Sequence, residues 1–197
     1  VGPGEPVPDT STCRGPTVFI TAQSLVPLPP EKYRQGYRAA LSSLRRNSQS
    51  PLSRMKLTSY VDSVLARREA RLRGVDEVVM LNEKGMVAEG SVSNIFIVSK
   101  GVLVTPSLDC GALPGITRAV VLELARSMAT PVAEREVTLE ELANADEVFV
   151  TNSVIEVVPL TWFEERPIGQ GRPGAVALRL LGMYQALVRQ ETGLDRP

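Results

Sequence analysis

Arg54-Met55-Lys56-Leu57-Thr58-Ser59-Tyr60 runs directly into Val61-Asp62-Ser63-Val64-Leu65-Ala66-Arg67-Arg68-Glu69-Ala70. Val61, Val64, Leu65 and Leu72 recur at the spacing of one helix face, while Arg67, Arg68, Glu69 and Arg71 populate the other face or its edges. This predicts a helix over residues 59–73 with its Val/Leu stripe turned to the core. Thr58 or Ser59 can cap its start, and Gly74 fits just past its end. Lys56 then stands immediately before the helix. If the chain already turns helically there, Lys56 and Tyr60 are four residues apart and share a face. Such a lysine is either one more solvated loop residue, the commoner case, or an amine held for covalent chemistry on a carbonyl.

Outward from this stretch the chain reads as interleaved hairpins and helices. On the N-terminal side, residues 1–15 are a Pro/Gly-rich irregular arm. Residues 17–22, centred on Val18-Phe19-Ile20, are a β-branched strand candidate. Pro27-Leu28-Pro29-Pro30 is a stiff linker and a domain boundary. The pattern over residues 36–44 fits a strand or a short helix equally. On the C-terminal side, strands are expected at residues 77–81, 87–89, 94–98 and 102–105, with a turn at Asn82-Glu83-Lys84-Gly85 where glycine takes positive φ. A helix follows over residues 116–129, with Val120, Val121 and Leu124 as core candidates. Then come a strand at 132–137, a short helix at 139–143, strands at 147–151 and 156–160, and a last helix started near Pro173. The order is α+β, without regular βαβ units or internal repeats.

Composition narrows the chemistry. The chain has 197 residues, 43% of them hydrophobic, enough for a sizeable core. With 22 basic and 22 acidic residues its formal charge is zero, so no overall field draws nucleic acid or anionic membranes. No apolar run approaches the length of a membrane-spanning helix, and no signal peptide is visible. Cys13 and Cys110 are too few for a disulfide framework, and a cytoplasmic location is the default. A start at Val1 rather than Met leads us to expect a processed or truncated chain. Histidine is absent, which excludes Ser-His-Asp and Cys-His catalysis and every His-ligated metal site. An enzyme built from this chain must use Lys, Asp, Glu, Tyr or Cys, or a bound cofactor.

Three further segments carry chemical potential. Leu113-Pro114-Gly115-Ile116-Thr117-Arg118 places glycine before a helix start, leaving its first N–H groups open at the positive end of the helix dipole beside the Thr117 hydroxyl. That suits a phosphate, or is an ordinary loop-to-helix junction. Asn152-Ser153, at a strand end, offers more donors to such a site or is a polar turn. Glu89, among apolar neighbours in Ala88-Glu89-Gly90-Ser91, is expected to be partly buried and so to need a cationic partner. A pyridinium N–H meets that need. So does an arginine in a structural pair, which is commoner.

Taken together, Lys56 with residues 60–70, Glu89-Gly90-Ser91-Val92-Ser93-Asn94-Ile95-Phe96, Gly111-Ala112-Leu113-Pro114-Gly115-Ile116-Thr117-Arg118, and Ala145-Asp146-Glu147-Val148-Phe149-Val150-Thr151-Asn152-Ser153 with Pro159 resemble the class IV aminotransferases, fold type IV pyridoxal-phosphate enzymes. The resemblance covers about four fifths of the chain, in four blocks in order. It implies the large C-terminal domain of that fold, a pseudo-barrel of strands with flanking helices, over residues 31–197. Residues 1–30 would be an arm, a remnant strand of the small N-terminal domain, and a linker. It implies pyridoxal 5'-phosphate as cofactor, a small-molecule substrate and a homodimer.

By the same resemblance Lys56 matches the Schiff-base lysine and proton shuttle, and Tyr60 would bond the cofactor's phenolic oxygen. Glu89 would pair with the ring nitrogen, and Asn94 lies in the shell orienting Glu89. Leu113 would pack on the ring, and Ile116, Thr117 and Ser153 would serve the phosphate. The wording of residues 64–70 and of Thr151-Asn152-Ser153 resembles 4-amino-4-deoxychorismate lyases most. This implies release of pyruvate and 4-aminobenzoate for folate synthesis. A branched-chain or D-amino acid aminotransferase is the first alternative, and an inactive truncated fragment the second.

Overall fold

The computed structural model describes residues 9–193. The expected irregular arm therefore falls partly outside the described residues. Within them, residues 17–22 form no strand. Val18, Phe19 and Ile20 are 74–90% exposed, because no described strand pairs with them and β-propensity alone does not make a sheet.

The first regular elements are the short helix α1 (Pro30–Gln35) and the strand β1 (Tyr37–Arg46). Gly36 joins them at φ +79°, a conformation that side chains rarely tolerate. The ambiguous stretch at 36–44 is thus a strand, and its long run between two others decides the matter. The rest follows as α2 (Val61–Leu72), β2 (Glu77–Asn82), β3 (Val87–Gly90), β4 (Asn94–Ser99), β5 (Val102–Pro106), α3 (Ile116–Ser127), β6 (Val132–Arg135), α4 (Leu139–Ala143), β7 (Glu147–Asn152), β8 (Glu156–Phe163), β9 (Arg166–Pro167) and α5 (Ala175–Thr192). Gly85 takes φ +80° in the expected turn.

These strands make one mixed sheet in the order β3-β2-β1-β8-β7-β4-β5-β6, with β9 added on β8. β1 lies parallel to both β2 and β8, and β7 pairs antiparallel with β4 and β8. The two edges approach each other, since Val87 N–H in β3 donates to the Val137 carbonyl just past β6 at 2.8 Å. The sheet is therefore curled into a half-barrel, as expected for the α+β pseudo-barrel.

Strand alternation separates two cores. Ile95, Ile97, Val148, Val150, Val158 and Leu160 fill one face with Val79 and Val87. Phe96, Val98 and Phe149 face α3 and α5, where Val121, Leu122, Ala177 and Leu180 cover them. Phe96 and Phe149 are cross-strand partners, stacked with centroids 5.0 Å apart.

The helix α2 departs from its reading. It starts at Val61 behind Tyr60 with no side-chain cap, and its buried face is Ala66 and Ala70, set against Ala40, Val78 and Met80. Val61, Val64, Leu65 and Leu72, expected in the core, are 43–76% exposed. Small residues let this helix lie close on β1 and β2, and close approach outweighs the size of the Val/Leu stripe.

Candidate active site

Lys56 lies in an irregular stretch between a short 3-10 turn (Pro51–Arg54) and α2. The helical turn from Lys56 to Tyr60 does not form, yet the two side chains meet: Lys56 Nζ donates to Tyr60 Oη at 2.7 Å. Tyr60 immediately precedes α2, and its carbonyl accepts the helix's first hydrogen bond from Val64 N–H. The phenol is thereby fixed to a rigid helix, and it holds the end of an otherwise exposed lysine.

Glu89, the last residue but one of β3, lines the same cavity as this pair and is 8% exposed. Its Oε1 lies 3.0 Å from Arg46 Nε, and its Oε2 accepts from Leu113 N–H at 2.9 Å. Arg46 was not singled out in the sequence. It ends β1, and its side chain also donates to the carbonyls of Gly111 and Ser53. Burial pushes the Glu89 carboxyl up to about 7, even though Arg46, the Leu113 N–H and Lys56 all pull it down. The sequence expectation of a buried acid needing a cation is met by the arginine, the commoner of its two alternatives.

Asn94, five residues on at the start of β4, completes the grip on Leu113. Its amide donates to the Leu113 carbonyl at 2.8 Å while Glu89 takes the Leu113 N–H. The ends of two successive strands, β3 and β4, thus clamp both ends of a single residue, and Asn94 is linked to Glu89 through that residue. The loop that Leu113 anchors leads through Pro114 and Gly115 into α3. No side chain caps α3. The Thr117 hydroxyl in its first turn is buried without a hydrogen-bond partner, a state that a buried polar atom keeps only at a cost.

Gly115 is needed here for space. A Cβ on it would fall 2.2 Å from Asn94 Oδ1, and Asn94 is already tied to Leu113. Gly115→Ala is therefore expected to destabilise the chain by about 1–3 kcal/mol, as overpacking does. Gly182→Ala, in open space within α5, is expected to stabilise it by about 1 kcal/mol. Denaturant unfolding of the two variants checks both.

Lys56, Tyr60, Glu89, Asn94, Leu113, Ile116, Thr117 and Ser153 all line one cavity of about 620 Å³. Arg45, Arg46 and Arg54 line it too, and so do Thr151 and Asn152 from the end of β7. The Thr151 hydroxyl is a second buried oxygen without a partner. Asn152 bridges two walls: its Oδ1 accepts from Val154 and Ile155 N–H at 2.8 Å, and its Nδ2 donates to the Val92 carbonyl at 3.1 Å. Ile116 lines the cavity while 80% exposed.

An amine, a buried acid and an open helix start facing one space fit an aromatic phosphate-bearing carbonyl compound such as pyridoxal phosphate. The unpartnered Thr117 hydroxyl is the observation that favours a ligand there. Among the described residues no cluster of His, Cys, Asp and Glu is arranged to hold a metal, and no helix is long and apolar enough to cross a membrane.

Comparison with known proteins gives the family. The family described as Amino-transferase class IV matches residues 2–162. The branched-chain-amino-acid aminotransferase of Pseudomonas aeruginosa is 39% identical over 164 residues, which are 82% of this chain and 53% of that protein. A solved branched-chain amino acid aminotransferase from T.th., with pyridoxamine 5'-phosphate, superposes with a TM-score of 0.77 at 38% identity, covering 83% of this chain and 54% of that one. The Escherichia coli branched-chain enzyme superposes at 0.74 with 34% identity, covering 79% and 54%. The chain spans about half the length of the curated relatives it matches. With the half-barrel and the family match in agreement, the chain belongs to the class IV aminotransferases and has their fold type IV architecture.

Proposed function

We propose that the chain is the cofactor-holding part of a pyridoxal-phosphate-dependent aminotransferase acting on branched-chain amino acids. The observation that carries this reading is the convergence of a primary amine, a buried carboxylate and an unsatisfied first-turn hydroxyl on one cavity. Lys56 supplies the only primary amine among the lining residues and would hold the cofactor covalently. Tyr60 would bond its phenolic oxygen, Glu89 its ring nitrogen, and Leu113 would lie against its face. Ile116 and Thr117, with Ser153, would take its phosphate. When bound, the cofactor's protonated ring draws electrons from the substrate's α-carbon.

The protein's own part is positioning and proton transfer. Arg46 and the Leu113 N–H offset the burial of Glu89 only in part, and they pull toward its charged form, the form that a protonated ring nitrogen needs opposite it. Lys56 Nζ, steered by the Tyr60 hydroxyl, holds and returns a proton over the cavity.

The lyase expected from the wording of residues 64–70 and 151–153 is the second reading, because the relatives and solved structures are named branched-chain aminotransferases. Asn152 is what still favours it. The test is acceptor dependence. Purified chain with pyridoxal phosphate should convert leucine, isoleucine or valine only when 2-oxoglutarate is present. Release of pyruvate from 4-amino-4-deoxychorismate without an acceptor would instead establish the lyase, and absence of any cofactor band would establish an inactive fragment. The division at residues 30 and 31, the homodimer and a cytoplasmic location belong to the same proposal.

A further inference from the structure

Glu77 opens β2 and is 1% exposed, yet it lines no part of the cavity. Its carboxylate collects four donors. Oε1 accepts from Val78 N–H at 2.9 Å, from Ser91 N–H at 3.0 Å and from the Ser91 hydroxyl, and Oε2 accepts from the Ser93 hydroxyl at 2.8 Å. Arg67 Nη1 stands 3.9 Å away, on the half-exposed face of α2. Three of the four donors belong to the loop of residues 91–93, which joins Glu89-Gly90 to Asn94. Gly90 shows how closely this loop is drawn onto the carboxylate: a Cβ there would meet Ser93 Oγ at 2.3 Å and Glu77 Cδ at 3.0 Å. From the other side, Asn152 holds the Val92 carbonyl.

A buried carboxylate is expensive unless its donors satisfy it, and a single apolar residue would fill the same space more cheaply. What the acid achieves is a fixed distance between the two residues flanking the loop. Glu89 and Asn94 grip the N–H and the carbonyl of Leu113, so their spacing must match one residue's backbone. We infer that Glu77 is a positioning residue of the candidate site: by fastening residues 91–93 it sets Glu89 and Asn94 on Leu113 and so builds the cofactor-facing wall. Its functional side rests on the reading of Glu89 as the ring-nitrogen partner; its structural side does not.

The experiment compares wild type, Glu77→Ala, Glu77→Gln and Ser93→Ala. Amide exchange is read at Leu113 and Phe149 in cofactor-free protein, and pyridoxal-phosphate affinity by titration. Leu113 bonds to Glu89 and not to Glu77, so a change there reports transmission through the loop. Glu77→Ala should speed Leu113 exchange about 10-fold more than Phe149 exchange and weaken cofactor binding about 10-fold, the scale of a lost buried hydrogen bond. Glu77→Gln should stay within about 3-fold of wild type, because its carbonyl keeps the Val78 and Ser91 donors and its amide can donate to Ser93 Oγ. Ser93→Ala, which removes one donor, should give a smaller change of the same kind and serves if Glu77→Ala does not fold. Equal acceleration at Leu113 and Phe149, or none at Leu113, overturns the inference. The expected exchange pattern across the variants, with no cofactor bound by wild type, overturns the proposed function alone.

Discussion

Lys56→Ala is expected to abolish both the visible absorbance of bound cofactor and amino-group transfer, lowering turnover by ~10⁴-fold or more, at or beyond the upper end for loss of an acid–base group. The fold should barely respond. Lys56 is exposed, and its side chain makes one hydrogen bond, to Tyr60 Oη. Stability is therefore expected to change by no more than about 0.5 kcal/mol, as for ordinary surface sites. That separation makes the experiment decisive, because lost activity in an unchanged fold must arise at the site, from lost cofactor attachment or lost proton transfer. Lys56→Arg extends it. Arginine keeps the charge and can still reach the phenol, but it has no amine that deprotonates to act as nucleophile or base. If charge alone were at work, Lys56→Arg would retain the absorbance band. If the covalent reading is right, it fails as completely as alanine. Retention of band and turnover by Lys56→Ala would remove Lys56 from the site altogether.

The site was more legible in the sequence than the packing around it. Lys56, Tyr60, Glu89 and Thr117 could be read because each is an unusual residue at an unusual place: a lysine before a helix, an acid in an apolar run, a glycine-threonine helix start. Their joint placement came from the family blocks, not from periodicity. Periodicity in fact misled at α2. Its largest apolar residues face outward while Ala66 and Ala70 face the sheet, and spacing alone cannot say which stripe a neighbouring sheet selects. At residues 17–22 a β-branched run suggested a strand, but a strand exists only by pairing, and pairing is not a local property. Arg46 was missed for a related reason. The reading of β1 stopped at Leu44, whereas the strand runs on to Arg46 and carries that guanidinium to Glu89. The signal that could have found it was present: a buried acid demands a cation, and Arg45-Arg46 is the nearest basic pair before Lys56 at a strand end. Glu77 gave no such hint, since its partners are two serines and two backbone amides.

Glu89→Gln is expected to make the cofactor-free chain more stable at alkaline pH and the enzyme nearly inactive. In the folded chain burial holds the Glu89 carboxyl near 7, against an ordinary value of 4.5. Between those two values the folded state binds more protons than the unfolded one, so stability falls as pH rises, and the loss is complete above about 7. The gap between the two values corresponds to about 3 kcal/mol. Below about pH 4.5 the acid is neutral in both states and resembles glutamine, so the variant and wild type should unfold alike there. Above pH 7 the variant should be ahead by up to about 3 kcal/mol, measured by denaturant unfolding across the range, with the difference growing between pH 4.5 and 7. Other carboxylates, such as Glu83 and Glu141, are held below their ordinary values and act in the opposite direction. They are common to both proteins and cancel in the comparison. Parallel curves for the two proteins would mean that Arg46 and the Leu113 N–H compensate burial fully. Loss of activity in the same variant gives the result its meaning, because glutamine cannot supply the charge that a protonated ring nitrogen requires; a fall of about 10²–10⁴-fold is the expected scale. A residue whose charge weakens the empty fold, and whose removal disables the enzyme, is being held there for a ligand.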